Sequence, residues 1–440
     1  MSTAQLDQEK TGLGNYFIAN YPPFSFWRRE YVPQALATLA VPPRNHVPLG
    51  LYVHIPFCRR RCKFCYYRVY TDKNARDVER YLEAVVREVH RYAEAPAVRG
   101  RLPEVVYFGG GTPSYLSVGQ LRRLIGALQA AFPWTQVREV TFECEPGTLQ
   151  EAKVHVLKEL GITRLSLGVE NFDDHILEVN GRAHHAAEIA RAWQWIVRAG
   201  FEQTNIDLIA GMLDETWDNW RRCIERTVDM APDSVTIYQM ELPYNTIFSQ
   251  EWQATGPAGL PGIADWPTKR AWVDYAFDRL LAAGYQVSSA YTLVRDVRRT
   301  QFVYRDALWH GADLIGAGVA SFGHLQGIHM QNLDQWQDYL QAVESGQWPV
   351  YRALAVTPEE QLIREFILQL KTGCVRRAYF RDKFGTDVVG RYATELAALA
   401  EAGLLVVTES DIALTRRGLL QVDRLLPQFF LPHHRGARYT

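Results

Sequence analysis

The chain has 440 residues, 47% of them hydrophobic, with 48 Lys plus Arg against 49 Asp plus Glu. That length and apolar content allow a large core in about two or three domains. The charge balance gives no electrostatic reason to expect nucleic acid or an anionic membrane as a partner. No run approaches the roughly 18 apolar residues of a membrane span. The polar start MSTAQLDQEKTG lacks an apolar signal region, so the expected location is the cytoplasm.

Residues 1–47 form an aromatic, proline-containing arm with Tyr16, Phe17, Tyr21, Pro22, Pro23, Phe24, Phe26 and Trp27. No strand or long helix is predicted there before Val32. From Gly50 to Pro56 the chain reads as a buried strand. Val78, Leu82, Val85, Val86 and Val89 recur at helical spacing and predict a helix from Arg76 to about Ala93. Further strands are predicted at Glu104–Phe108, Val140–Glu143, Arg164–Val169, Thr204–Ile209 and Ser234–Tyr238. Helices are predicted at Val118–Phe132, Ala152–Leu160, Ala186–Ala199, Thr216–Met230 and Trp266–Ala283, three of them stopped by Gly161, Gly200 and Gly284.

This alternation argues for a parallel α/β fold whose strands are buried on both faces. The repeated units are too few for a closed eight-fold barrel and fit an open (βα)6 partial barrel of the TIM type. Past residue 345 the texture changes. Thr357, Pro358, Glu359 and Glu360 read as a helix start, continuing to Leu370. Helices at Tyr379–Phe384 and Val388–Ala402 and a hairpin of Gly403–Val407 with Ile412–Thr415 complete a winged-helix-like pattern. The stretch Arg391–Glu401 carries Glu395 and Glu401 against one Arg, which argues against reading DNA. The expected domains are the arm at 1–47, a core barrel at 48–300, a connecting segment at 301–350 and a C-terminal lid at 351–440.

Six cysteines are present, and three of them, Cys58, Cys62 and Cys65, fall within one loop directly after the first strand. This is no disulfide framework. Three thiolates suit an iron–sulfur cluster and would leave one iron of a cubane open. A structural zinc site needs four closed ligands; no fourth Cys is near, and His54 lies on the strand side. Cys144, Cys223 and Cys374 read as packing residues. Gly109-Gly110-Gly111-Thr112-Pro113-Ser114 ends the second strand, where glycine lets backbone approach a ligand. Glu143 and Glu145 end the third strand. Arg182 follows the fourth, and Asp207 lies on the fifth. Arg59, Arg60 and Arg61 either tune the cluster loop, receive a reductant or are simply solvated.

C-x3-C-x2-C after a first strand, with GGGTPS after the second, resembles the radical S-adenosylmethionine (SAM) superfamily. The resemblance implies a [4Fe–4S] cluster on Cys58, Cys62 and Cys65 that binds and reductively cleaves SAM to a 5′-deoxyadenosyl radical. It implies SAM contacts from Tyr52, Gly109, Gly110, Gly111, Thr112, Glu143, Arg182 and Asp207, and an electron donor such as flavodoxin or ferredoxin. The catalytic residues toward substrate stay unassigned.

Within the superfamily, IPFC-x3-C-x2-C, GGGTPS, E-x-E-P, R-x-S-x-GV, N-x-DLI-x-G and the helical C-terminal domain resemble the oxygen-independent coproporphyrinogen III oxidase-like group over residues 48–425. True coproporphyrinogen dehydrogenases add a fourth Cys where this chain has Tyr67, and a Gln where it has Glu170. The heme-chaperone branch lacks that Cys too, but its His-Asn-x-x-Tyr-Trp stretch is replaced here around Phe302, Tyr304 and Trp309. Class C methylases and cyclopropanases bind a second SAM and alkylate an sp2 carbon. The sequence reading favours this class C branch, on a flat, unsaturated substrate; coproporphyrinogen decarboxylation, heme transfer and heme ring opening are the alternatives. Heme ligation would draw on His184, His185, His310, His324 or His329, each of which also reads as an ordinary surface or core residue. The His433-His434 pair in the tail has no spacing argument.

Overall fold

The computed structural model describes residues 10–43, 47–256 and 260–437. The first nine residues of the polar start lie outside the described residues. The chain divides into two compact units. The first comprises Phe26–Ile206 with Phe302–Val356; the second comprises Asp207–Gln301 with the described parts of Met1–Ser25 and Thr357–Thr440. In chain order the strands are β1 (Leu49–Ile55), β2 (Val105–Gly110), β3 (Glu139–Cys144), β4 (Arg164–Glu170), β5 (Gln203–Ala210), β6 (Ser234–Gln239), β7 (Gln286–Val287) and β8 (Thr292–Val294). They continue as β9 (Asp313–Ala317), β10 (Phe322–Leu325), β11 (Ile328–Asn332), β12 (Val350–Ala355), β13 (Cys374–Arg376), β14 (Leu405–Val407) and β15 (Asp411–Leu414). The result is the α/β architecture that the alternation predicts.

In the first unit the strand order is β12-β11-β10-β9-β1-β2-β3-β4. β1 runs parallel to β2 on one side and β9 on the other, with Gly50 opposite both Val105 and Leu314. β2–β3 and β3–β4 are also parallel. Leu51, Val53, Ile55, Val106, Phe108, Phe142, Leu165 and Leu167 are wholly buried, as strands covered on both faces require. The connecting helices start where the sequence supplies caps. Asn74 and Asp77 form a reciprocal capping box for Ala75–Glu94, and Ser117 and Gln120 do the same for Val118–Ala131. Helix Ala186–Ala199 ends on Gly200 in the left-handed conformation, φ 65°. This geometry brings the C-terminal ends of β1 to β4 side by side, and the Cys loop, the Gly-rich turn, Glu143 and Glu170 all sit at those ends.

The stretch read as a connecting segment holds β9, β10 and β11 and two helices, Val303–Trp309 and Trp336–Glu344. β9 joins the parallel strands, while β10, β11 and β12 follow as an antiparallel meander. Two things hid these strands. The buried positions include His324, His329, Gln331 and Asn332, which erase the apolar period. The β10–β11 turn uses Gln326 and Gly327, both with positive φ, and Gln gives no turn signal.

In the second unit β6-β8-β7 is antiparallel. The C-terminal part forms a three-stranded sheet, β13-β15-β14, against helices Pro358–Leu370 and Arg377–Phe384. This extends the expected hairpin by β13, whose three residues are too few to show a period. The helix expected over Val388–Ala402 is broken at Tyr392, which leaves helical geometry (φ −110°, ψ 30°) and stacks on Phe366 at 4.9 Å. The arm packs by its own backbone: Tyr16 and Phe17 N–H groups donate to Glu241, and the Ile18 N–H donates to Asp423. Among the described residues no helix is long and apolar enough to cross a membrane.

Candidate functional site

β1 delivers the chain into the cysteine loop. Phe57 is buried and pairs with Tyr70 across the base of the loop. The Cys58 N–H donates to the Tyr70 carbonyl at 3.1 Å, and the Tyr70 N–H donates to the Pro56 carbonyl at 2.7 Å. The loop is therefore closed at its neck and open at its tip. Its thiols, Cys58, Cys62 and Cys65, are free and half-buried. Burial pushes the Cys58 thiol up to about 11 and the Cys65 thiol up to about 12.

Two basic side chains frame the loop. Arg182 donates to the Cys62 sulfur at 3.3 Å and to the Gly168 carbonyl at 2.8 Å, and its guanidinium lies 3.7 Å from Glu170. Although burial opposes it, the neighbouring Cys62, Glu170 and Glu145 hold the Arg182 pKa above the ordinary arginine value. Arg59 donates to Glu145 at 2.9 Å and to the Ala183 carbonyl at 2.7 Å. Glu145 is buried, which alone would raise its pKa. Its His184, Arg182 and Arg59 neighbours outweigh that and hold it at about 2. Glu145 thus ties the first half of the cysteine loop to the end of β3. Sequence reading ranked it below Glu143; the signal was in the E-x-E-P motif, where both acids belong to the site.

The glycine turn is fixed by backbone on one side and a carboxylate on the other. The Gly111 and Thr112 N–H groups donate to the Ile55 and Phe57 carbonyls at 2.9 and 2.8 Å. A Cβ on Gly111 would lie 2.7 Å from the Ile55 carbonyl oxygen, so the turn packs directly on β1. Gly110 has φ 107°, and a Cβ there would meet the His54 ring at 2.3 Å. The Gly110 N–H donates to Glu143 at 3.2 Å, and Tyr107 donates to the other Glu143 oxygen at 2.6 Å. Thr112 donates to the Cys58 sulfur at 3.4 Å, joining the glycine turn to the cysteine loop.

An aromatic wall, unread in the sequence beyond Tyr52, borders this acid. Tyr52 stacks on Tyr107 at 6.0 Å, and Tyr107 meets Tyr304 at 4.6 Å. Burial, and then the Glu143 charge, raise the Tyr52 and Tyr304 pKa values well above normal, so both stay neutral phenols. His54 is bonded to Tyr52 at 3.1 Å, and burial lowers it to about 4. It is a neutral scaffold group.

The structure therefore brings Tyr52, Gly109, Gly110, Gly111, Thr112, Glu143 and Arg182 to one end of the first unit with the three cysteines. Asp207 is half-buried on β5 and falls in the second unit. The histidines raised for heme ligation have local roles. His184 faces Glu145 at 3.6 Å, and His185 faces Asp174 at 3.7 Å. His310 bonds the Asp306 carbonyl at 2.7 Å. His324 and His329 are buried against each other, with Trp27 stacked on His329.

The donor set fits a cluster. Three free thiols share one loop, and two of their sulfurs already accept hydrogen bonds, from Arg182 and Thr112. Three ligands on a four-iron core leave one iron for SAM.

The match of the chain to known families agrees with this geometry. Residues 52–227 match the radical SAM superfamily, and residues 356–420 match the HemN C-terminal domain. The chain belongs to the radical SAM superfamily. Its relatives place this radical SAM protein in the coproporphyrinogen III oxidase-like subfamily. It is 27% identical to the oxygen-independent coproporphyrinogen III oxidase of Escherichia coli, over 97% of this chain and 95% of that one. It is 28% identical to the heme chaperone HemW of Bacillus subtilis, over 86% of this chain and 98% of the chaperone. The solved structure of the E. coli oxidase superposes with a TM-score of 0.81 over 94% of this chain at 24% identity, which establishes the shared fold. Members of the superfamily use a [4Fe–4S] cluster and SAM, and the residues here fit both.

Proposed function

We propose that this radical SAM enzyme acts on a tetrapyrrole of the coproporphyrinogen class, by oxidative decarboxylation. The observation that carries this reading is coverage. The match to the E. coli enzyme runs through 97% of the chain, against 86% for the B. subtilis chaperone. These relatives favour the tetrapyrrole branches over the class C methylation expected from sequence.

Bound together, the cluster and SAM supply a 5′-deoxyadenosyl radical. The protein's own part is positioning and exclusion of water. Cys58, Cys62 and Cys65 would hold the cluster, with Arg182 and Thr112 donating to two of the sulfurs. The glycine turn would offer backbone to the SAM amino group. Glu143, already organised by Tyr107 and Gly110, would accept from SAM, and Tyr52 completes the contacts proposed in this unit. The arginines of the cysteine loop give an acidic flavodoxin or ferredoxin a place to approach. The domain limits at 48–300 and 351–440 belong to this proposal, and limited proteolysis tests them.

A second reading, a heme chaperone, is supported by Tyr67 standing where the dehydrogenases carry a fourth Cys. One anaerobic experiment separates the readings. Reconstituted protein is given reductant, SAM and coproporphyrinogen III, and products are followed by mass spectrometry. Release of CO2 from the substrate with matching 5′-deoxyadenosine supports decarboxylation. Stoichiometric, tight heme binding without turnover supports the chaperone. Labelled methyl transfer to an added unsaturated acceptor, with S-adenosylhomocysteine, returns the class C reading and its second SAM.

A further inference from the structure

The second unit carries a side-chain cluster that the SAM chemistry does not use. One ligand atom from each of Glu360, His433 and His434 lies within 4.8 Å of the others. Glu360 and His434 are buried, and His433 is exposed. The two histidines are consecutive on the turn Pro432–His434, yet their rings approach to 4.0 Å between centroids.

Each buried member is oriented by a separate partner. Glu360 is the third residue of helix Pro358–Leu370, and its Oε2 accepts from the Thr357 N–H and hydroxyl, both at 2.8 Å. That leaves Oε1 facing His434 Nε2 at 3.7 Å. The other ring nitrogen of His434, Nδ1, is 2.7 Å from the Tyr21 hydroxyl, which also accepts from the Leu431 N–H at 3.1 Å. Arg435, the nearest cation in sequence, is turned away and donates to the Phe430 and Gln428 carbonyls.

We propose that Glu360, His433 and His434 bind one divalent cation of the zinc type. Two imidazoles and a carboxylate are a ligand set for borderline ions, with a remaining position open to water. Ligand atoms about 2.0–2.1 Å from one tetrahedral ion are about 3.3 Å apart, so the 3.7 Å separation of His434 and Glu360 closes with a small side-chain movement. The Tyr21 hydroxyl supplies the outer hydrogen bond that metal-bound histidines normally have, fixing which nitrogen faces the ion. The ion would fasten the C-terminal tail to the start of helix Pro358–Leu370.

The test uses full-length protein with its cluster in place, and the Cys58→Ala/Cys62→Ala/Cys65→Ala variant, which removes thiolates as competing ligands. Cobalt(II) is titrated as a visible probe, then displaced by zinc. The expected result is one cobalt per chain in both proteins, without sulfur charge-transfer bands in the triple variant. Affinity should fall at least tenfold in His433→Ala, which alters an exposed residue, and in Glu360→Gln, which keeps an oxygen for the Thr357 cap. No binding by the triple variant at micromolar cobalt, or binding unchanged by both substitutions, would overturn the proposal.

Discussion

Arg182 donates to the sulfur of Cys62 across 3.3 Å while its second terminal nitrogen holds the Gly168 carbonyl. One guanidinium thus links the cysteine loop to the end of β4. Lysine keeps the charge but not the two-pronged donor. Arg182→Lys should retain most of its iron and lose at least tenfold in 5′-deoxyadenosine formation. Iron content and mass spectrometry of the nucleoside check this. Wild-type cleavage in the variant would show that charge alone is needed.

Cys58, Cys62 and Cys65 have no nearby substitute thiol. Cys144 and Cys223 are buried in packing, and Cys374 lies in the second unit. Replacing any one of the three by Ala should abolish the cluster's visible absorbance and all SAM cleavage. Cluster-dependent cleavage in any of these variants would falsify the assignment of that ligand.

Gly111 is the tightest backbone contact of the glycine turn. A Cβ would lie 2.7 Å from the Ile55 carbonyl oxygen and 2.9 Å from the Pro56 carbonyl carbon, and backbone cannot step aside cheaply. Gly111→Ala should cost about 1–3 kcal/mol by overpacking. It should also weaken SAM binding, because the displaced strand carries the cysteine loop. Thermal melting and equilibrium dialysis of SAM measure the two effects separately. An unchanged melting temperature would mean that β1 yields without strain.

The parts of this architecture that sequence displayed are those with a strong local period or a dedicated residue type. The helix over Ala75–Glu94 announced itself by apolar spacing, the end of Ala186–Ala199 by Gly200, and the cysteine loop by its chemistry. β10 and β11 did not, because their buried positions hold His324, His329, Gln331 and Asn332, polar residues whose burial is matched by one another and by Arg352 and Glu88. The tyrosine wall was hidden because its contacts are long-range. Nothing local to Tyr304 says that it will face Tyr107, nearly two hundred residues earlier in the chain.

Glu88 gives the first unit a pH dependence of its own. It is buried and accepts from Tyr339 at 2.7 Å, Gly318 N–H at 2.9 Å and Asn332 at 2.6 Å. Burial outweighs these donors and raises its pKa to about 7. Between the ordinary carboxyl value and 7 the folded state keeps a proton that the unfolded state has released. Stability is therefore fully present at low pH and declines as pH rises through this window, by on the order of 3 kcal/mol. Melting temperature followed from pH 5 to pH 8 should fall more steeply in the wild type than in Glu88→Gln, which cannot titrate. Parallel curves would place the titration elsewhere.

Glu170 holds a left-handed backbone, φ 64°, at the end of β4. A non-glycine residue there costs about 1–2 kcal/mol, so fold stability alone would favour glycine. Its side chain offsets this by facing Arg182 at 3.7 Å. Glu170→Gly relieves the backbone and removes the charge; Glu170→Gln removes only the charge. If the residue is held for chemistry, Glu170→Gly should melt at or above the wild-type temperature and yet cleave SAM at least tenfold more slowly. Glu170→Gln, the residue of the coproporphyrinogen dehydrogenases, should keep most of the activity. If both variants lose activity equally, the negative charge beside Arg182 is what the site requires. If neither does, the strained backbone serves only the turn into the loop that carries Arg182.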